Sequence, residues 1–152
     1  KFLKKGDELA ESLQEELRII MWSHCGVIKN KESLIKGLKK IKEIKKKLLN
    51  LDCHINEYSQ DIIYAFDLES SVITAEATII SALEREESRG AHQRSDYPKT
   101  KNSGNFNILV KLEKNNNSLS TKKIPNKNLN SELRELVKNE NRDNSIINKL
   151  LE

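Results

Sequence analysis

NEYSQDIIYAFDLESSVITAEATIISALEREE, residues Asn56–Glu87, decides the fold class. Tyr58, Ile62, Ile63, Phe66, Val72, Ile73, Ala77, Ile80 and Leu83 keep the 3.6-residue period of a helix. Neither Gly nor Pro interrupts the run. A helix of about 30 residues is longer than the average in a small domain, so other helices are expected to flank it. Upstream, Leu9, Leu13, Leu17, Ile20, Met21 and His24 form one stripe over residues 7–25. Asp7, Glu8 and Glu11 stand where a helix N-terminus favours negative charge, and Gly26 follows as a stop. Asn30 is a good N-cap for a helix over 31–51, on which Leu34, Leu38, Ile41, Lys45 and Leu48 share one row. Ile35, Ile44, Leu49 and Leu51 widen that row. The short connections predict antiparallel neighbours in an up-down-up arrangement. The expected core is Leu17, Met21, Leu38, Ile41, Ile62, Phe66, Ile73 and Ile80.

The pattern changes at Ser88. SRGAHQRSDYP, residues 88–98, is polar, breaks the helix at Gly90 and exits through Pro98. Thr100–Asn105 reads as a loop, Phe106–Glu113 as a strand, Asn115–Ser118 as a turn and Leu119–Ile124 as the return strand. After Pro125 the chain is rich in Asn. Ser131 is a cap for a short helix carrying Leu133, Leu136 and Val137, and Ile146, Ile147, Leu150 and Leu151 form a last apolar cluster. The expected fold class is therefore mainly α, an antiparallel three-helix bundle (spectrin-repeat-like) over residues 1–98. A C-terminal β-hairpin and a poorly ordered or short-helical tail fill residues 99–152.

Composition narrows the function. The 152 residues carry 27 Lys+Arg and 23 Asp+Glu, a net charge of +4, with 36% hydrophobic and 33% charged residues. No apolar run approaches the roughly 20 residues a membrane span needs. The five glycines form neither a dinucleotide fingerprint nor a phosphate loop. Lys1 is not Met and no apolar leader follows, so the chain reads as a fragment of a longer protein, with a processed mature chain as the alternative. The basic residues are 21 Lys and only six Arg, alongside 16 Asn and 16 Ile. That bias differs from the Arg forks and interleaved aromatics of nucleic-acid readers. The run Lys29–Lys47, with nine Lys and two Glu, reads as a solvated helix face; the alternative is an electrostatic docking surface for an acidic partner, which would make the chain a stand-alone helical interaction or nucleic-acid-binding protein. His24-Cys25 and Cys53-His54 are separated by a helix that holds them about 30 Å apart. That distance argues against a zinc site or a disulfide and for free thiols in a reducing compartment.

One cluster has the ingredients of chemistry. Glu86, Glu87, Arg89, His92, Arg94 and Asp96 put six ionisable side chains in eleven residues. A histidine among acids and arginines suits acid–base catalysis. The same residues suit an ion-paired turn that locks the end of the long helix, which is the reading favoured here. Gly90 lets the backbone turn, Arg89 and Arg94 are able to grip carboxylates in forks, and Tyr97-Pro98 is a rigid exit. For Arg89, which precedes the turn, the expected partners are Glu86, Asp96 and helix-end carbonyls.

The stretch Ala82–Pro98 resembles the motif that ends the helical C-terminal domain of succinate dehydrogenase and fumarate reductase flavoprotein subunits. L-aspartate oxidase, a relative, has a similar stretch. Ile20-Met21-Trp22, Gly26-Val27-Ile28 and Glu32-Ser33-Leu34 are similar to that family's first helix and turn. The likeness covers residues 9–98 well, and the hairpin and Lys149–Glu152 more loosely. Ala91, Arg94 and the tail beyond Pro98 look closer to succinate dehydrogenase or fumarate reductase than to aspartate oxidase. The residues carried over as family motif, with an interdomain role, are Glu87, Ser88, Arg89, Gly90, Ala91, His92, Arg94, Asp96, Tyr97 and Pro98.

The resemblance implies a parent that moves electrons between a dicarboxylate and FAD and then to an iron–sulfur subunit. FAD would sit in another domain, and substrate between that domain and a mobile capping domain. None of the motifs for flavin or catalysis in those parts occurs here. This chain is expected to supply no catalytic residue, no flavin ligand and no metal ligand, and to act as a packing and docking module. Its partners would be the FAD-binding and capping domains and an iron–sulfur subunit, with no nucleic acid and no membrane span of its own. The expected location is the cytoplasm, or the cytoplasmic membrane face through a parent complex.

Overall fold

The computed structural model describes residues 5–53, 60–114, 117–126 and 135. Helix α1 (Ala10–Cys25), strand β1 (Ile28–Lys29), helix α2 (Lys31–Lys47) and helix α3 (Gln60–Glu84) come first. Strand β2 (Gln93–Arg94) and the strands β3 (Phe106–Leu112) and β4 (Leu119–Pro125) follow. The Ser131 helix, the closing apolar cluster and the expected helix start at Asn56 lie outside the described residues.

Asn30 caps α2 as its sequence position suggests: its side-chain oxygen accepts from the Ser33 amide at 2.8 Å. The helix tightens into a 3-10 turn, Leu48–Asn50, instead of continuing to Leu51. Asp7 and Glu8 donate their amides to the Asn50 carbonyl, and the Asp52 amide donates to Glu8. The start of α1 is thereby tied to the end of α2. At the opposite end His24 Nδ1 lies 3.2 Å from Ser33 Oγ. These two ties make α1 and α2 antiparallel. The motif after α3 meets the start of α2, so α3 runs antiparallel to α2 and completes the up-down-up bundle.

The core is continuous. Leu13, Leu17 and Ile20 of α1 meet Leu34, Ile41 and Ile44 of α2 and Ala65, Leu68, Val72, Ala75, Ile79 and Ala82 of α3. Leu17 and Ile41 are buried as expected, and Met21 and Leu38 pack partly against the core. The facing of α3 differs from expectation. Ile62, Ile73 and Ile80 are only half-buried, and Phe66 is 57% exposed. The buried row advances by three, four, three, four and three residues through Ala65, Leu68, Val72, Ala75, Ile79 and Ala82. Both rows have helical period, because α3 is apolar on more than one side. The row with the alanines faces inward because small residues let three helices approach closely enough to exclude water. Choosing the bulkiest row put the expected face about one residue too far round.

Lys45 sits in the buried row of α2 and pairs at 2.7 Å with Glu76, which is 5% exposed. It also donates to the Asn117 carbonyl at 2.9 Å, joining the bundle to the hairpin end. The hairpin forms as expected: β3 and β4 pair antiparallel from Phe106↔Pro125 to Leu112↔Leu119. Ile108, Val110, Leu112 and Leu119 line one side of an open groove of about 800 Å³, and Ile73, Ala77 and Ser81 of α3 line the other.

Candidate functional site

The site is the turn that follows α3. A helix C-terminus leaves its last carbonyls without intrahelical partners. Here side chains from downstream satisfy them. Arg94 is 1% exposed, and its Nη1 donates to the Ala82 carbonyl at 2.6 Å and to the Arg85 carbonyl at 3.3 Å. His92 Nε2 lies 3.1 Å from the same Arg85 oxygen. The turn that brings both back is tight. Arg89 and His92 exchange backbone bonds of 2.8 and 3.0 Å around Gly90 and Ala91. Gly90 has φ +55°, the left-handed region that favours glycine.

Arg94 also reaches forward. Its Nε and Nη2 donate to the two carboxylate oxygens of Asp96 at 2.8 and 2.7 Å, and its guanidinium lies 4.9 Å from the Tyr97 ring centroid. Asp96 accepts in addition from the Lys31 amide, at the start of α2, at 2.9 Å. β1 and β2 pair in parallel, Ile28 with Gln93 and Lys29 with Arg94, and the Ser95 amide donates to the Lys29 carbonyl at 2.9 Å. The end of α3 is thus fastened to the α1–α2 connection. Ser88 works inside the turn: its hydroxyl receives the Arg94 amide at 2.9 Å and donates to Tyr97 O at 2.9 Å.

Glu87 centres a second network. It is 1% exposed and accepts from Arg85 Nη1 at 2.6 Å, Arg89 Nε at 3.1 Å, Arg89 Nη2 at 3.2 Å and the Lys101 amide at 2.8 Å. Arg85 further donates to the Gly104 and Phe106 carbonyls and lies 4.6 Å from the Phe106 ring centroid. A Cβ on buried Gly104 would collide with the Glu87 carboxylate. The hairpin is anchored to the helix end through this point.

The electrostatics follow the contacts. Hydrogen bonding from Arg89, with help from the Lys101 amide and Arg85, holds Glu87 down to about 2. The Arg94 fork holds Asp96 well below the usual carboxylate range, and the Lys31 amide adds to it. Asp96 in return raises Arg94. Burial lowers His92, and the positive charges of Lys29, Arg94 and Arg85 push the same way. Both carboxylates are therefore charged acceptors at neutral pH, poorly suited to trading protons.

The expected motif residues fall into distinct roles. Glu87, Ser88, Arg89, His92, Arg94, Asp96 and Tyr97 converge. Gly90 makes the turn, while Ala91 and Pro98 are exposed. Arg89 contacts carboxylate and carbonyl as expected, but its carboxylate is Glu87, not Glu86 or Asp96, and its carbonyl is Lys101 at 2.9 Å. Sequence reasoning missed Arg85 and Gly104. Arg85 stands two residues before Glu87, and that spacing was its only signal.

The turn's arginines are committed to carboxylates and carbonyls, and the parallel strand pair among the described residues is two residues long. Among the described residues no cluster of His, Cys, Asp and Glu is placed to hold a metal. Cys25 and Cys53 are free thiols, and no described helix is long and apolar enough to cross a membrane.

The chain is similar to known proteins in sequence and in fold. An uncharacterized FAD-dependent oxidoreductase of Methanocaldococcus jannaschii is 40% identical over 110 residues, covering 72% of this chain and 20% of that protein. The L-aspartate oxidase of Pyrococcus horikoshii is 39% identical over 84 residues, covering 55% of this chain and 14% of the oxidase. In three dimensions an Escherichia coli quinol fumarate reductase chain superposes with a TM-score of 0.78 at 21% identity, over 84% of this chain and 22% of that one. The match spans between about a seventh and about a fifth of the length of these relatives. Residues 14–141 match the family described as fumarate reductase flavoprotein C-term, and the chain belongs to that family.

Proposed function

We propose that the chain is the helical C-terminal module of an FAD-dependent succinate dehydrogenase or fumarate reductase flavoprotein. In that parent it packs against the FAD-binding and capping domains and contributes no group to the reaction. The observation that carries this reading is the family match over residues 14–141. The turn supports it, since Arg94, Asp96 and Glu87 are consumed in holding α3, the α1–α2 connection and the hairpin together. The parent transfers two electrons between a dicarboxylate and FAD and passes them to an iron–sulfur subunit. It lies in the cytoplasm or against the cytoplasmic membrane face.

The test is the full-length flavoprotein that carries this domain. It is expected to hold FAD and to interconvert succinate and fumarate with an artificial electron carrier. A full-length protein without flavin would overturn the reading. The aspartate oxidase similarity favours a second reading, which the same preparation checks: turnover of L-aspartate with oxygen or fumarate in place of succinate. The Lys29–Lys47 face gives little support to nucleic-acid binding. Lys29 is buried, and Lys36, Lys45 and Lys47 pair with Glu32, Glu76 and Glu16.

A further inference from the structure

We propose that the groove between α3 and the β3–β4 hairpin binds a long-chain carboxylate, with its head on Lys29 and its alkyl chain along the hairpin. The inference goes beyond the proposed function and does not depend on it. The groove holds about 800 Å³, within the ordinary range of small-ligand sites. Ile73 and Ala77 of α3 form one wall, and Ile108, Val110, Leu112 and Leu119 of the hairpin form the other. The hairpin supplies an apolar face because strand side chains alternate, and β3 is half-buried and exposed in turn from Phe106 to Lys111. The two walls are kept apart by ties at the ends of the hairpin. Arg85 binds the Gly104 and Phe106 carbonyls at its base, and Lys45, paired with Glu76, binds the Asn117 carbonyl at its tip.

Toward the C-terminal end of α3 the lining changes to Cys25, Lys29 and His92. Lys29 is 8% exposed, and its Nζ donates to the Val27 carbonyl at 2.9 Å. An ammonium group has three donors, and among the described residues no carboxylate forms an ion pair with this one. The nearby acids are already taken: Asp96 by Arg94, and Glu87 by Arg85 and Arg89. A buried charge is ordinarily paired, because leaving it alone forfeits its hydration without return. The Lys29 charge also reaches the other groups that line this end. Burial raises the Cys25 thiol and the Lys29 charge opposes it; burial lowers His92 and the Lys29 charge adds to it.

Charge and length select the ligand. One cation without an anion suits a single negative charge, a carboxylate, better than a phosphate carrying about two. The apolar walls call for an alkyl chain behind that charge. From Ile73 to Ala82 the groove follows α3 for about 14 Å, the reach of an extended chain of about eleven carbons. Dodecanoate meets both conditions.

Isothermal titration of the full-length protein with dodecanoate, below its micelle-forming concentration, tests the proposal. One equivalent per chain is expected to bind saturably. Lys29→Met keeps the stem and loses the charge, and should weaken binding about tenfold or more. Ala77→Phe fills the groove from a half-buried position on α3, away from Lys29, and should weaken binding by a similar factor. Octanoate should bind about tenfold more weakly, since the open groove covers only part of each methylene it lacks. Dodecyltrimethylammonium has the same chain and the opposite charge, and should also bind about tenfold more weakly. Melting of each variant without ligand checks its fold; if Lys29→Met does not fold, Ala77→Phe and the comparison of head groups decide. Equal affinity for the two head groups would overturn the site, as simple apolar adsorption. Undiminished affinity in a folded Lys29→Met or Ala77→Phe would overturn it too, as would the lack of saturable binding up to about 1 mM. Binding that needs residues 127–152 removed first would assign the groove to the chain's own end and likewise overturn the proposal.

Discussion

Arg94→Leu is the perturbation that separates a structural turn from a catalytic one. The wild-type guanidinium makes four hydrogen bonds: two to Asp96 and one each to the Ala82 and Arg85 carbonyls. The 2.6 Å bond to Ala82 is buried and charge-assisted, so losing it costs about 1.5–3 kcal/mol. The Asp96 side chain keeps 29% exposure, so water recovers part of its loss, and its two bonds contribute about 1–2 kcal/mol together. The Arg85 carbonyl retains His92 and adds little. The sum, about 2.5–5 kcal/mol, overlaps the usual cost of removing one partner of a buried pair. It corresponds to a melting shift of roughly 5–20 °C for a chain of this size. Urea unfolding followed by far-ultraviolet circular dichroism measures it, with the slope unchanged if the two ends of the transition are unaltered. Arg94→Lys keeps the charge and loses the fork, so it should lose about half as much. A loss below about 1 kcal/mol for Arg94→Leu would refute the argument that this side chain closes the helix.

The other predictions follow from the same contacts. Arg89→Lys should cost only about 0–1 kcal/mol in this chain, because the Arg89 side chain is 42% exposed and Glu87 keeps Arg85; a larger loss in thermal melting would make Arg89 a strut equal to Arg94. Ile79→Ala should cost about 2–5 kcal/mol and Phe66→Ala under about 1, and the reverse order of urea midpoints would show that α3 is turned the other way. Glu87 falls from its ordinary 4.5 to about 2 on folding, so its contribution is complete above pH 4.5 and is lost as pH falls toward 2. Acid titration of unfolding should show that loss in the wild type and a flatter profile in Glu87→Gln. With excess FAD the chain should show no stoichiometric flavin absorbance after gel filtration, and a bound flavin would contradict the commitment of its arginines.

The fold was legible because it rests on period and punctuation. Leucine and isoleucine spacing marked three helices, Asn30 marked the start of α2, and the alternation of Phe106–Leu112 marked a strand. What the sequence concealed was rotation about a helix axis. On α3 two rows have equal period, and the winner depends on how closely α1 and α2 approach, a property of three chains of side chains at once. Lys45 was legible as part of an apolar row but not as charged and paired. Its partner Glu76 is 31 residues away, and no local pattern links them.

The site was legible as a cluster whose composition suits chemistry as well as structure. Six ionisable groups in eleven residues look like an active site because catalytic groups also crowd together. The difference lies in where the hydrogen bonds go. A general acid or base needs a proton free to leave and an open direction toward a substrate. Arg94 directs its fork and its remaining amine into Asp96 and the helix end, Glu87 accepts four donors from within the domain, and His92 is turned to a backbone carbonyl. Arg94 and Glu87 are each stabilised in their charged state by partners that also fix the backbone, while burial favours the neutral form of His92. A substrate would have to displace those partners, and α3 would lose its C-terminal closure in the process. We read the cluster as acting through the shape it holds, because that shape joins α3, the α1–α2 connection and the hairpin.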